Sequence, residues 1–289
     1  GYFGRKCMNT IQSNFTFENT LDRMEVQFTT HSKFTSIECS KLFKQETLET
    51  IGENAICKFV SNEEIEIYKE KLIVIFGKNP TISLKDKVYL NLLYDDKIED
   101  KQYIELNINA PSNPIKPISK IETEERIGSC TDIELDGSSS YSFDRRSLKY
   151  YWNVSVPFGA NTTNEYLESI EKIRSMLENE KDSSIITISK QYLVPGNDYT
   201  FTLMVENFIQ SKSEPFQKTV KIEKDFIPIA KIRNSNEFYI FRDESLTIIG
   251  YSDNPSCVKG NVNKETIKEW KYLNSDNNPS NIEEDIDYK

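Results

Sequence analysis

The chain has 289 residues, of which 37% are hydrophobic and 11% aromatic, enough for packed cores and too many for wholesale disorder. A net charge of −10 leaves no basic surface for phosphate and argues against a nucleic-acid partner. No apolar run approaches the roughly 18 residues a membrane-spanning helix needs, and the longest, LIVIF at 72–76, is strand-sized.

Residues 1–113 read as a β-rich N-terminal domain. Runs at 24–30, 65–76, 87–94 and 103–108 alternate or stay apolar between Asn, Asp, Pro and Gly, the pattern of half-buried and buried strands. A short helix is predicted at 45–51. Cys39 and Cys57 close a short loop and are the expected disulfide. Cys7, Cys130 and Cys257 have no legible partners, and an odd total of five leaves at least one thiol free or bridged outside the chain. No CxxC pair suggests a metal knuckle. His31, the single histidine, lies in FTTHSKF and is not expected to serve catalysis or bind a metal. The segment APSNPIKP at 110–117 places three prolines in eight residues and reads as a linker.

A second domain is expected over 114–224. Short strands are predicted at 118–121, 131–136 and 148–155. In the last, Leu148, Tyr150, Trp152 and Val154 fall on one side, with Lys149, Tyr151, Asn153 and Ser155 on the other. Trp152 is therefore a core anchor while its neighbour Asn153 faces water. Residues 161–180 break the β pattern. Thr162 and Glu165 form a capping-box spacing, and Leu167, Ile170, Ile173 and Leu177 make a stripe, predicting a helix over 163–180 docked on its own sandwich. Strands resume at 184–190, 198–206 and 217–223, with Tyr199, Phe201, Leu203 and Val205 inward. Leu135 joins Trp152, Tyr199 and Phe201 as an expected core anchor. The fold class is all-β: tandem immunoglobulin-like sandwiches, the middle one carrying an inserted helix.

The pattern then starts again. PISKI at 117–121 recurs as PIAKI at 228–232, ELDGSSSYS has a counterpart in TIIGYSDNPS, and Tyr151-Trp152 corresponds to Glu269-Trp270. Residues 225–289 are thus expected to be a partial third module ending in the acidic run at 283–287. A first residue other than Met suggests a processed start within a longer precursor.

Three sequons are present: Asn14-Phe15-Thr16, Asn153-Val154-Ser155 and Asn161-Thr162-Thr163. Asn79-Pro80-Thr81 and Asn278-Pro279-Ser280 fail on the proline. Sequons together with cysteines point to an extracellular or cell-surface protein reached through the secretory pathway. Gly137-Ser138-Ser139-Ser140 lacks the frame of a nucleophile elbow and reads as a turn. Asp132, Asp136 and Asp144 lack the spacing of a calcium loop, so no structural calcium is expected. No phosphate-cradling glycine loop occurs. The expectation is no enzyme and no cofactor other than covalent N-glycans.

From Pro117 onward the chain resembles the polycystic kidney disease (PKD) domain and the related receptor-for-egg-jelly (REJ) region. The resemblance is carried by Leu135-Asp136-Gly137-Ser138-Ser139-Ser140-Tyr141, by Leu148-Lys149-Tyr150-Tyr151-Trp152, and by Pro195-Gly196-Asn197-Asp198-Tyr199-Thr200-Phe201-Thr202-Leu203 with Val205. Cys39-Ser40-Lys41-Leu42-Phe43, Thr47-Leu48 and Cys57 are similar to the segment preceding such domains, and the stretch from Gly1 to Cys7 looks like the end of a cysteine-rich repeat. Ser142-Phe143-Asp144 stands where the family has Asp-Pro-Asp. Asn153 stands where a cysteine commonly follows the tryptophan, which leaves the partner of Cys130 open.

The resemblance implies extracellular sandwiches used for adhesion, spacing or assembly. The expected function is a head-to-tail building block of a surface or extracellular filament, partnered by copies of itself or by neighbouring surface proteins. A half-module, with its open strand edge, motivates that reading. The alternative is a fragment of an adhesion or polycystin-like receptor ectodomain.

Overall fold

The computed structural model describes residues 2–3, 9–10, 14–28, 36–61, 70–91, 103–180, 182–225, 227, 229–232 and 247–253. At the start, β1 (Tyr2–Phe3) and β2 (Asn9–Thr10) pair antiparallel. The first module is then built from β3 (Phe15–Phe17), β4 (Arg23–Phe28), β5 (Ser36–Ile37), α1 (Cys39–Leu42), α2 (Gln45–Ile51), β6 (Ile56–Ser61), β7 (Glu70–Ile75), β8 (Lys87–Asn91) and β9 (Tyr103–Asn109). Its strands form one sheet in the order β5-β6-β7-β4-β3-β9-β8, antiparallel except where Phe15 pairs with Ile108 in the parallel β3–β9 contact. Cys57 and Phe59 from β6 share one core with Val88 and Leu90 from β8, so the sheet must curl until its two ends face each other. Alternation drives this: in β4, Met24, Val26 and Phe28 are buried and their neighbours are not. The 45–51 helix is present as α2. The predicted strand at 65–76 is seen from Glu70 to Ile75, with 62–69 outside the described residues.

The second module contains β10 (Arg126–Gly128), β11 (Ile133–Asp136), β12 (Lys149–Ser155), α3 (Asn164–Asn179), β13 (Ile185–Ile188), β14 (Asp198–Glu206) and β15 (Phe216–Glu223). A sheet of order β10-β15-β14-β12 faces the β11–β13 pair across a core that holds Leu135, Trp152, Phe201 and Leu203. The β10–β15 pairing is parallel and the rest antiparallel, as in an immunoglobulin-like sandwich. The strand expected at 118–121 is not one. Ile118 makes a single bridge to Tyr141 and Glu122 another to Asp136, and two isolated bridges four residues apart do not make a ladder. Conversely, β10 was not foreseen: three residues including a glycine carry no periodic signal.

Helix α3 starts one residue later than its capping-box spacing suggested. Thr163 is the cap, its hydroxyl accepting the Tyr166 N–H at 3.3 Å. The buried face is accordingly Tyr166, Ser169, Ile170, Ile173 and Leu177, while Leu167 is 45% exposed. A polar serine lies in that face because it has a partner. Ser169 Oγ hydrogen-bonds the Tyr199 hydroxyl at 2.7 Å and also donates to the Tyr192 carbonyl. Tyr199 accepts the Val194 N–H at 2.8 Å. A tyrosine near the start of this strand, bonded back to the backbone a few residues upstream, is the tyrosine corner of immunoglobulin-like sandwiches. Here it also bolts the inserted helix to the sheet.

Tyr166 packs edge-on against Tyr199, with ring centres 5.2 Å apart, and donates its hydroxyl proton to the Asp198 carbonyl. Burial raises its pKa to about 12. The fold therefore holds the neutral hydroxyl while the unfolded chain releases that proton near 10. This contribution is constant below pH 10 and is lost as pH rises from about 10 to about 12. Circular dichroism and tyrosinate absorbance, followed together through that window, should show helix loss accompanying ionisation. Tyr166→Phe should weaken the coupling, and a helix signal indifferent to pH up to 12 would contradict it.

After the second module, β16 (Ile229–Ile232) pairs antiparallel with β17 (Gly250–Asp253). In both copies of the repeat the P-I-x-K-I segment lies against the stretch around the following glycine. Residues 233–246 and 254–289, including Trp270, lie outside the described residues.

The first two modules touch through side chains remote in sequence. Phe208 and Ile209, on the β14–β15 turn, pack against the core of the first module. Arg146 Nη1 donates to the Ile82 carbonyl at 2.6 Å.

Candidate functional site

The Asp136-Gly137-Ser138-Ser139-Ser140 segment shows what its residues are for. Asp136 Oδ1 accepts the Ser138 N–H at 2.7 Å, forming the local turn that a nucleophile would have to escape. Ser140 Oγ accepts the Lys120 N–H at 3.0 Å. At Gly137 an added Cβ would stand 2.9 Å from Trp152 Cζ2 and 2.8 Å from Leu203 Cδ2, so the tryptophan ring needs the space a glycine leaves. Trp152 is 8% exposed and its indole N–H donates to the Ser183 carbonyl at 2.9 Å. Leu135, Tyr199 and Phe201 are fully buried beside it.

The three aspartates considered for calcium are held by separate partners. Asp132 accepts the Lys190 N–H at 2.8 Å, Asp136 closes its own turn, and Asp144 lies beside Arg146 with 4.0 Å between carboxylate oxygen and Nε. Among the described residues no three His, Cys, Asp or Glu side chains gather as a metal site. His31 lies outside the described residues.

The sequons occupy three different environments. Asn153 is exposed on β12, where its Oδ1 accepts the Val154 N–H at 2.8 Å. Asn161 is exposed in the loop between β12 and α3, and the sequon's Thr163 is the helix cap. Asn14 is half-buried before β3, its Oδ1 accepting the Asn107 N–H at 3.2 Å. N-glycosylation joins sugar to Nδ2, and at Asn14 and Asn153 it is Oδ1 that carries the structural bond.

Cys39 and Cys57 form a disulfide, with Cα atoms 5.3 Å apart, that ties the start of α1 to β6 inside the first core. Cys130 is also disulfide-bonded; Cys7 and Cys257 lie outside the described residues. An open polar recess of about 560 Å³ lies between the β3–β4 turn and the linker, lined by Glu25, Lys71, Asn19 and Ser112. Glu25 and Lys71 are paired with each other at 2.9 Å and so are already committed.

Sheet edges complete the picture. The outer edge of β8 is occupied: the Lys44 N–H donates to the Tyr89 carbonyl at 3.1 Å and the Tyr89 N–H to Thr47 Oγ1 at 3.0 Å. At β12 the Val154 carbonyl takes Arg174 Nη2 of α3 at 3.2 Å, and the Tyr150 carbonyl takes the Asp182 N–H at 3.4 Å. The inserted helix thus stands where a further strand would pair. Sequence reasoning missed the tyrosine corner at Tyr199, the contact of Arg146 and the apolar turn tip Phe208-Ile209. Of these, only the tip carried a signal, two large apolar residues at a hairpin end.

The REJ domain family matches residues 82–286. No curated protein matches the chain. Among solved structures, the fibronectin(III)-like modules of Clostridium thermocellum CbhA align over 81% of this chain and all of theirs, at 13% identity and a TM-score of 0.27. The ectodomain of mouse nectin-like molecule 4 covers 75% of this chain and 63% of its own, at 10% identity and a TM-score of 0.28. The FN1–FN3 domains of chicken CNTN1 cover 89% and 86%, at 11% identity and a TM-score of 0.33.

Proposed function

The chain belongs to the REJ domain family, whose members are extracellular and receptor-ectodomain-like, and from that premise we propose that it is a glycosylated, non-catalytic spacer and adhesion segment of a cell-surface protein. One observation carries the reading: sandwiches follow one another along the chain, and the second presents Asn153 and Asn161 to solvent on the loop and sheet face away from its core. In the Ser-rich turn the Ser138 N–H and the Ser140 hydroxyl are held by hydrogen bonds, and the aspartates have separate partners, which supports a role without chemistry.

Glycosylation is tested directly. In material secreted from a eukaryotic host, Asn161→Gln and Asn153→Gln should each remove one glycan's mass, and peptide-N-glycosidase should collapse all forms to one. Asn14 should also carry sugar, with lower occupancy because its side chain is half-buried and bonded to β9. Secreted chain whose mass is unchanged by the glycosidase would end the glycoprotein reading.

Partners are copies of the chain or neighbouring surface proteins, and filament formation is the finer form of this proposal. The edges of β8 and β12 are occupied, so a strand donated by another copy would not pair there. Sedimentation velocity should show growth with concentration, and a single species at every concentration would exclude self-assembly. The receptor-ectodomain form is distinguished by membrane spans encoded downstream in the precursor.

A further inference from the structure

The structure assigns to Arg146 and Phe208 the role of a latch that makes the first two modules one cooperative, rigid body. Phe208 belongs to the second module by sequence but packs with the first. Its ring meets Phe17 edge-on at 5.5 Å, and Phe17 in turn meets Phe76 at 5.6 Å. The turn that presents it is fixed from within: Asn207 Oδ1 accepts the Ser211 N–H at 3.0 Å, the Asn207 carbonyl accepts the Gln210 N–H at 2.9 Å, and Gln210 sits at φ 66°. That turn holds Phe208 and Ile209 away from their own core and against the other one.

Arg146 closes the contact from the side. Its guanidinium carbon lies 3.9 Å from the Phe208 ring centre and 5.6 Å from that of Phe76, while Nη1 bonds the Ile82 carbonyl. One cation therefore touches aromatic rings of both modules and a main-chain oxygen of the first. The side chain is only 10% exposed and Asp144, 1% exposed, is its nearest counter-charge. Nε and Nη2 have no hydrogen-bond partner among the described residues. Burying a guanidinium on these terms is costly, and desolvation depresses its pKa. A cation kept at such cost, with a single directional bond across the junction, fits a device that sets the angle between modules. The linker reinforces it: the Ile115 N–H donates to the Asn19 carbonyl at 2.8 Å and the Asn113 N–H to Asn19 Oδ1 at 3.1 Å.

The test uses the full chain carrying Trp270→Phe, so that emission reports Trp152 and the second module alone. Pulsed hydrogen exchange of the β4 and β7 peptides reports the first. In the parent, the two urea midpoints should coincide. In the Arg146→Ala/Phe208→Ala double variant they should separate by at least about 0.5 M, with native Trp152 emission in the absence of urea. Midpoints that already differ in the parent, or that still coincide in the double variant, would overturn the latch. So would loss of native Trp152 emission without urea, since the two residues would then be holding up the second module itself.

Discussion

Replacing Trp152 with alanine is expected to destabilise the second module by about 3–5 kcal/mol, the range for deleting a large buried aromatic. The indole fills space that only Gly137 leaves open and lies in the same core as Leu135, Phe201 and Leu203. Its removal creates a cavity walled by residues of both sheets, and β14 on one side of β12 with α3 on the other limits collapse. A second penalty follows from the Ser183 carbonyl, which loses the indole N–H it accepts at 2.9 Å. Trp152→Phe separates the two effects: it keeps much of the volume and loses the hydrogen bond, for an expected cost nearer 1–3 kcal/mol. Urea denaturation followed by far-ultraviolet circular dichroism measures both. A Trp152→Ala cost below about 1 kcal/mol would mean that the tryptophan does not hold the two sheets together.

Opening the Cys39–Cys57 bridge is the second large effect. The two cysteines are 18 residues apart in sequence, and a cross-link closing a loop of that size stabilises by about 3 kcal/mol, chiefly by restricting the unfolded chain. Both partners lie in the first core, so the double Cys39→Ala/Cys57→Ala variant also removes packing between α1 and β6. Calorimetry of this variant should show a lower transition temperature. Reductant added to the parent should reproduce most of the shift. An unchanged transition under full reduction would show that the bridge is incidental to stability.

The sequence was most legible where alternation was strict. In β12 and β14 the inward residues Trp152, Val154, Tyr199, Phe201, Leu203 and Val205 are buried, because a period of two leaves a long strand only one way to face a core. The inserted helix was legible as a helix, but its face was read through Leu167 rather than Tyr166 and Ser169. Counting apolar residues could not see that Ser169 is buried through a bond to Tyr199, a residue 30 positions away. Short elements escaped for a different reason: β10 is made by its parallel partner β15, not by its own three residues. The junction was illegible because neither Arg146 nor Ile82 has a local reason to be where it is; each is explained by the other. Sequon triplets are visible in any sequence, but the structure alone distinguishes the open amide of Asn161 from the half-buried Asn14.

The guarded rim at β12 bears on what would happen were such chains held side by side. Flat sheets brought shoulder to shoulder in a dense coat tend to zip laterally, chain onto chain, and harden into aggregate. With Arg174 and the Asp182 amide already seated on the main-chain oxygens of that rim, a neighbour finds no register there to extend. Crowding at a cell surface would then press these molecules together without fusing them.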